Sequence, residues 1–108
     1  MEPMFSLMAD RLAALGQPQR LAVFRLLVVA GPQGRLPGDI STELGIPASS
    51  LSFHLAHLRR SRLVQVEARG RERCYVADFG MMRGLVDFLT ENCCAGAVCA
   101  AIPERKIA

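Results

Sequence analysis

The sequence predicts a mainly α-helical fold with one β-hairpin, in the order four helices, hairpin, helix. Three observations carry this reading. Apolar residues recur at helical spacing through most of the first 60 positions, the period switches to two between Leu63 and Ala77, and glycine or proline marks each change of pattern. A length of 108 residues corresponds to one domain and leaves no room for a second core.

Met4, Phe5, Leu7, Met8, Leu12 and Leu15 describe a first helix that stops at Gly16 as its C-cap. Pro18 suits a first helical turn, and Leu21, Val23, Phe24, Leu27 and Val28 continue an almost all-round apolar segment to Gly31-Pro32. This second helix is expected to be the most buried. After a loop from Gly31 to Gly38, Asp39 to Leu44 forms a short helix ended by Gly45, and Pro47 opens the next with Ser49 and Ser50 in its first turn. Two helices joined by a tight glycine turn form a helix-turn-helix candidate. Leu63 to Glu67 and Arg73 to Val76 flank Arg69-Gly70-Arg71-Glu72 as a hairpin. The last helix runs from Phe79 to about Asn92, with Met82, Leu85, Val86 and Leu89 on one stripe.

Composition narrows the class. The chain is 51% hydrophobic with mean hydropathy +0.24, more apolar than one core of this size needs, since such a chain buries only about 60–70% of its unfolded surface. The surplus points to a second copy. No membrane span is expected, because the richest apolar run, Leu21 to Ala30, is broken by Arg25 and falls short of about 18 residues. The first ten residues carry Glu2 and Asp10 and no basic residue, unlike a secretory signal, so the expected location is cytoplasmic. Thiols are kept reduced there, which makes the four cysteines ligands, sensors or core residues rather than a disulfide framework.

Net charge is +3, and its distribution says more than its size. Between Arg59 and Arg73 six arginines face two glutamates, a local net of +4, while the rest of the chain nets −1. Such concentration is the electrostatic footprint of a phosphate-binding face, although a solvated arginine cluster has the same composition. On a helical wheel Leu51, Leu55, Leu58 and Arg62 share one face of the fourth helix. Ser49, Phe53, Ala56 and Arg60 lie opposite, flanked by Ser52. Small hydroxyls at a helix start can meet base edges and phosphates in the major groove, and an outward Phe53 can touch a thymine methyl. The candidate DNA contacts are Ser49, Ser50, Ser52, Phe53, His54, His57, Arg60, Arg69 and Arg71. The last two flank Gly70 at the hairpin tip, where they can reach a phosphate or the minor groove. Arg59, Arg60 and Arg62 read as positioning charges. For His54, a partly buried ring bonded to a backbone group is an equally open reading.

The run LGIPASSLSFHLAHLRRSRLVQVEARGRERCYV, through Ser52, His54, Leu55, Leu58, Arg59 and Tyr75, resembles the recognition helix and wing of the ArsR/SmtB family of winged-helix metalloregulators. Leu15, Pro18, Arg20 and Leu21 in LAALGQPQRLAVFRLL resemble that family's second-helix signature. The resemblance implies a winged helix-turn-helix that binds double-stranded operator DNA as a homodimer assembled through its first and last helices, repressing transcription until an inducer binds. On this reading residues 1–92 form the DNA-binding and dimerisation domain, and 93–108 a cysteine-containing inducer tail.

Cys93, Cys94 and Cys99 place three thiols in that tail without the paired spacings of a structural zinc site. Adjacent helical residues diverge by about 100°, so both vicinal sulfurs reach one ion only if the helix has ended there, and Gly96 permits the reversal that would bring in Cys99. Three soft thiolates with no fourth donor suit arsenite or antimonite, As(III) or Sb(III), as inducer. The third helix lacks the cysteine cluster of many arsenic-responsive members, and Asp78 and Asp87 lack the histidines of the zinc-responsive ones. The tail from Thr90 to Cys99 instead resembles an arsenic-responsive subgroup with its three cysteines after the last helix. A thiol-redox or other soft-metal sensor on the same scaffold is the alternative. An enzyme is not expected, because Cys93 and Cys94 follow a helix, whose negative dipole end disfavours the thiolate a nucleophile needs. Cys74, on a hairpin strand, reads as packing.

Overall fold

The computed structural model describes residues 2–97. Its elements run α1 (Pro3–Leu15), α2 (Pro18–Ala30), a 3-10 turn (Gly31–Gln33), α3 (Pro37–Leu44), α4 (Ala48–Arg60), β1 (Val64–Arg69), β2 (Glu72–Ala77), α5 (Phe79–Thr90) and a second 3-10 turn (Cys93–Gly96). This is the winged helix-turn-helix order that the sequence predicts. Proline sits in the first turn of α1, α2 and α3, where its missing N–H satisfies nothing that the helix needs. The Gln17 side chain caps α2 by accepting the Arg20 N–H at 2.8 Å, and Asp78 caps α5 by accepting the Met81 N–H at 2.9 Å. Gly45 closes α3 in the left-handed conformation, φ 65°, which sets the tight turn into α4.

The core gathers one stripe from each element. Ala14 of α1, Val23, Phe24 and Leu27 of α2, Ile40 of α3, and Leu51, Leu55 and Leu58 of α4 bury against Leu63, Val64 and Ala77. The helix with most buried side chains is α4, not α2. Although α2 packs on α1, α3, α4 and β2, none of them covers Leu21 or Val29, and Val29 is 82% exposed. The apolar content of α2 thus exceeds what one chain buries. α1 has a second apolar face too: Met4, Phe5, Leu7 and Leu12 are exposed beside Val86 and Leu89 of α5, with the Phe5 and Phe88 rings in edge contact at 5.4 Å. No single helix among the described residues is long and apolar enough to cross a membrane.

α4 ends at Arg60, two residues short of Arg62, which the wheel places on its leucine face. Arg62 instead takes a left-handed φ of 60°. Its N–H bonds the Arg59 carbonyl at 3.0 Å, and the Leu63 N–H bonds the Leu58 carbonyl at 3.0 Å, the paired bonds of a Schellman closure. Leu58 and Leu63 meet in the core as that closure favours. An L-residue at this position costs roughly 1–2 kcal/mol that glycine would not.

β1 and β2 pair antiparallel from Val64↔Ala77 to Arg69↔Glu72, so the turn is only Gly70-Arg71, with Gly70 at φ 64° as its first central residue. The expected four-residue tip is shorter because Arg69 and Glu72 are themselves paired. The segment from Gly31 to Gly38, expected as plain loop, adds a bridge to the sheet: Arg35 and Tyr75 exchange both backbone hydrogen bonds at 2.9 Å. Gly34, φ 65°, makes this approach possible. A Cβ there would overlap the Tyr75 carbonyl oxygen and lie 2.8 Å from both Cys74 Sγ and Val76 Cγ2. Gly34→Ala should therefore cost roughly 2–4 kcal/mol in urea unfolding, from strain plus overlap, and detach the bridge. A loss below about 0.5 kcal/mol would show that the bridge yields freely.

Candidate nucleic-acid interface

The glycine turn between α3 and α4 stands α4 on the core with its other face open to solvent. Leu51, Leu55 and Leu58 hold it down, while Ser49, Ser52, Phe53, Ala56 and Arg60 are exposed, Ser50 is half-buried, and Phe53 stands 61% exposed. The expected outward row is therefore assembled. Beside it, Ser52, Ala56, Arg59 and Arg60 of α4 and Tyr75 of β2 line a concavity of about 470 Å³ between helix and hairpin.

Two candidates prove to be committed to the fold. His54 is 7% exposed, and both of its ring nitrogens are engaged. Nε2 lies 2.9 Å from Gln19 Oε1, and Nδ1 lies 3.4 Å from an Arg20 amino group. Gln19 Oε1 can only accept and the guanidinium can only donate, which sets the tautomer: Nε2 carries the proton and Nδ1 accepts. Burial first, then the charge of Arg20, hold His54 below its ordinary pKa of 6.5. His54 thus positions α4 from inside the fold. His57, half-buried on the flank, keeps a surface position.

Arg69 corrects the reading of the hairpin tip. Its guanidinium donates to the Gln33 carbonyl at 2.6 Å, the Pro32 carbonyl at 3.0 Å and Glu67 Oε2 at 2.6 Å, bracing the hairpin on the 3-10 turn. A side chain holding three acceptors gives up those bonds to reach a phosphate. Arg71, in the two-residue turn, forms no such bonds among the described residues and remains the tip's cation. Sequence reasoning missed Arg11, Gln19 and Gly34, and passed over Arg20 as more than part of a signature. Proline at 18 ahead of Arg20 hinted at a helix start, but nothing local shows the reach of Arg20 to α4.

In the tail, α5 ends at Thr90 and Glu91 is extended, so Cys93 and Cys94 do follow the helix. Asn92, Cys94, Ala95 and Gly96 all have positive φ, a tight left-handed reversal that brings Cys93 Sγ to 3.6 Å from Cys94 Sγ. Two bonds of about 2.3 Å to one ion span such a gap. Cys94 is disulfide-bonded, so three thiolates exist only after reduction. Cys99, and the tail from residue 98 on, lie outside the described residues, among which no group of three metal-ligating side chains occurs. Cys74 is buried, with its Sγ 3.1 Å from the Gln33 carbonyl, as packing requires.

Residues 15–67 match the family described as a helix-turn-helix domain. Among solved structures the chain is similar to an ArsR-like transcriptional regulator from Rhodococcus sp. RHA1, with TM-score 0.74 and 23% identity over 82% of this chain and 80% of that one. HlyU from Vibrio cholerae aligns with TM-score 0.66 and 27% identity over 83% and 98%. A homodimeric winged helix-turn-helix DNA-binding domain from Mycobacterium bovis, described as a possible ArsR-family regulator, aligns with TM-score 0.65 and 23% identity over 82% of each chain. No curated protein matches the chain.

Arg71→Ala is expected to make the affinity for duplex DNA less salt-dependent, reducing the log–log slope by about 0.9, while Arg69→Ala leaves the slope nearly unchanged. Equal slope changes in both variants would mean that Arg69 leaves its three acceptors on binding. His54 gives a pH prediction. Its folded pKa is depressed, so the unfolded chain binds the proton first, and stability is full above about 6.5 and falls as pH drops through the folded value. The urea midpoint should fall between pH 7.5 and 5.5, and fall less in His54→Gln.

Proposed function

We propose that this chain is a DNA-binding transcriptional repressor of the ArsR/SmtB type that acts as a homodimer and leaves its operator when As(III) or Sb(III) binds Cys93, Cys94 and Cys99. The observation that carries the DNA reading is the outward face of α4, where Phe53 stands exposed between Ser49, Ser52 and Arg60 beside the cation of the hairpin turn. Phe53 puts a large apolar ring on this face, and a ligand that covered it would gain the burial of that surface. The helix-turn-helix match over residues 15–67 supports the same reading.

Dimerisation is supported by the apolar faces that α1 and α5 leave open, Met4, Phe5, Leu7 and Leu12 beside Val86 and Leu89. Two copies would then present two α4 helices to DNA, and the operator would be an imperfect palindrome with half-sites about 10 bp, or a multiple, apart. For the inducer, the support is the pair of adjacent sulfurs at 3.6 Å beyond the end of α5. Arsenite is an uncharged trihydroxide near neutral pH. Each thiol that binds replaces one hydroxide and releases one water, and the finished three-thiolate centre is neutral. Zinc on the same thiolates carries a net charge of −1 and needs a fourth ligand that Ala95 and Ala97 lack. The second reading, a thiol-redox repressor, is favoured by the disulfide of Cys94.

A mobility shift with a labelled operator at fixed salt separates these. Under reducing conditions arsenite or antimonite should dissociate the complex at concentrations where zinc does not, and Ser in place of Cys93, Cys94 or Cys99 should keep DNA binding while abolishing release. Cys74→Ser should still respond. Release by zinc at equal or lower concentration overturns the metalloid assignment, and release by a thiol oxidant but not by arsenite establishes the redox reading.

A further inference from the structure

Arg11 of α1 is one of two buried charged or polar side chains among the described residues, His54 being the other. Its Nε donates to the Ser61 carbonyl at 3.3 Å and one amino group contacts Met8 Sδ at 3.6 Å, while its second amino group has no protein acceptor and reaches the surface. There it opens into a concavity of about 280 Å³ between α1 and the end of α4, shared with Asp10, His57, Arg60 and Arg62. Three guanidiniums, an imidazole and one carboxylate line it, and Asp10 forms a salt bridge with none of these cations. The local potential is positive: after burial, the charges of Arg20, Arg60 and His54 hold the His57 ring below its ordinary pKa.

Two further features suit this hollow to an anion. Arg62 occupies the left-handed closing position of α4, where glycine fits better, and strain of this kind concentrates at functional sites. The negative end of α4 is also masked. The carbonyls of His57, Leu58 and Arg59 accept the N–H groups of Ser61, Leu63 and Arg62, and that of Ser61 accepts Arg11.

We propose that the α1–α4 junction is a phosphate site, filled by a backbone phosphate of bound DNA. Arg60 lines both this hollow and the concavity between α4 and the hairpin, so the site continues the face described above. The inference rests on the DNA-binding reading and adds an anchor on α1, outside residues 15–67. A free phosphate offers the same chemistry, and the test separates the two sources.

Arg62→Gly removes a charge from a backbone position that glycine adopts more easily, so the fold is retained. With a DNA duplex, its log–log salt slope should be shallower by about 0.9, so that the wild-type advantage shrinks about 3-fold between 50 and 200 mM salt. Asp10→Asn should bind more tightly than wild type. Without DNA, inorganic phosphate should raise the pKa of His57, followed by NMR beside the only other histidine, in wild type and not in Arg62→Gly. An unchanged slope together with an unresponsive His57 overturns the proposal. A responsive His57 with an unchanged slope overturns the DNA source and leaves a free oxyanion site. If wild type binds no duplex while phosphate shifts His57, the DNA-binding reading fails and the phosphate site stands.

Discussion

The orientation of α4 hangs on one guanidinium. Arg20 Nε donates to the Ala14 carbonyl at 2.8 Å, an amino group reaches His54 Nδ1 at 3.4 Å, and its own N–H is capped by Gln17 at 2.8 Å. The last turn of α1, the first turn of α2 and the middle of α4 therefore meet at a single cation. Leucine packing is non-directional and tolerates a helix turning about its axis, whereas these bonds do not. A turn of α4 by one residue would strand a buried imidazole, at about 1–3 kcal/mol, and swing Phe53 out of the exposed row. The polar core is thus what aims the apolar one.

The hairpin is held by a similar division of labour. Its inner strand is pinned by the Arg35–Tyr75 bridge, which only a glycine at 34 allows, and its outer edge by Arg69 on the carbonyls of Pro32 and Gln33. An isolated two-stranded hairpin is marginal in water, so the wing stands because the 3-10 turn supports it from both sides. One arginine braces and the next in the turn, Arg71, is left for solvent or a ligand.

Helices and hairpin were legible in the sequence because Gly16, Gly31, Gly45 and Gly70 sit at the breaks and the apolar periods between them are clear. So was the outward row of α4, since the leucine stripe dictates what lies opposite. What was not legible is which polar side chains the fold consumes. Arg69 and Arg71 are equivalent in a composition count, and only the proximity of residues 32 and 33, more than thirty positions away, separates brace from free cation. For His54 burial was one of two readings open in the sequence, but its partners, the side chains of Gln19 and Arg20 rather than a backbone group, were not legible. Arg62 was placed on the buried face because a wheel assumes the helix goes on, and the Schellman closure ended it first. The burial of α2 was overestimated for a related reason: an all-round apolar helix says that much surface must be covered, not that this chain alone covers it.

α1 emerges as the mechanical link between the two ends of the molecule. At its start Phe5 packs edge-on against Phe88 of α5, the helix that leads into Cys93 and Cys94. Nearly two turns on, Arg11 holds the Ser61 carbonyl just beyond α4, and at its end Ala14 accepts the Arg20 that also holds His54. The C-terminal end of α4 is therefore held directly by α1 and its middle through Arg20, while α1 itself rests on α5 through an aromatic contact and leaves Met4, Phe5, Leu7 and Leu12 exposed. A shift of α1 would strain the Arg11 bond to Ser61 directly, and the hold on His54 only through Arg20 of α2, which donates to the Ala14 carbonyl. The bonds that hold the exposed face of α4 in place thus run through α1, which packs on the helix that leads into Cys93 and Cys94.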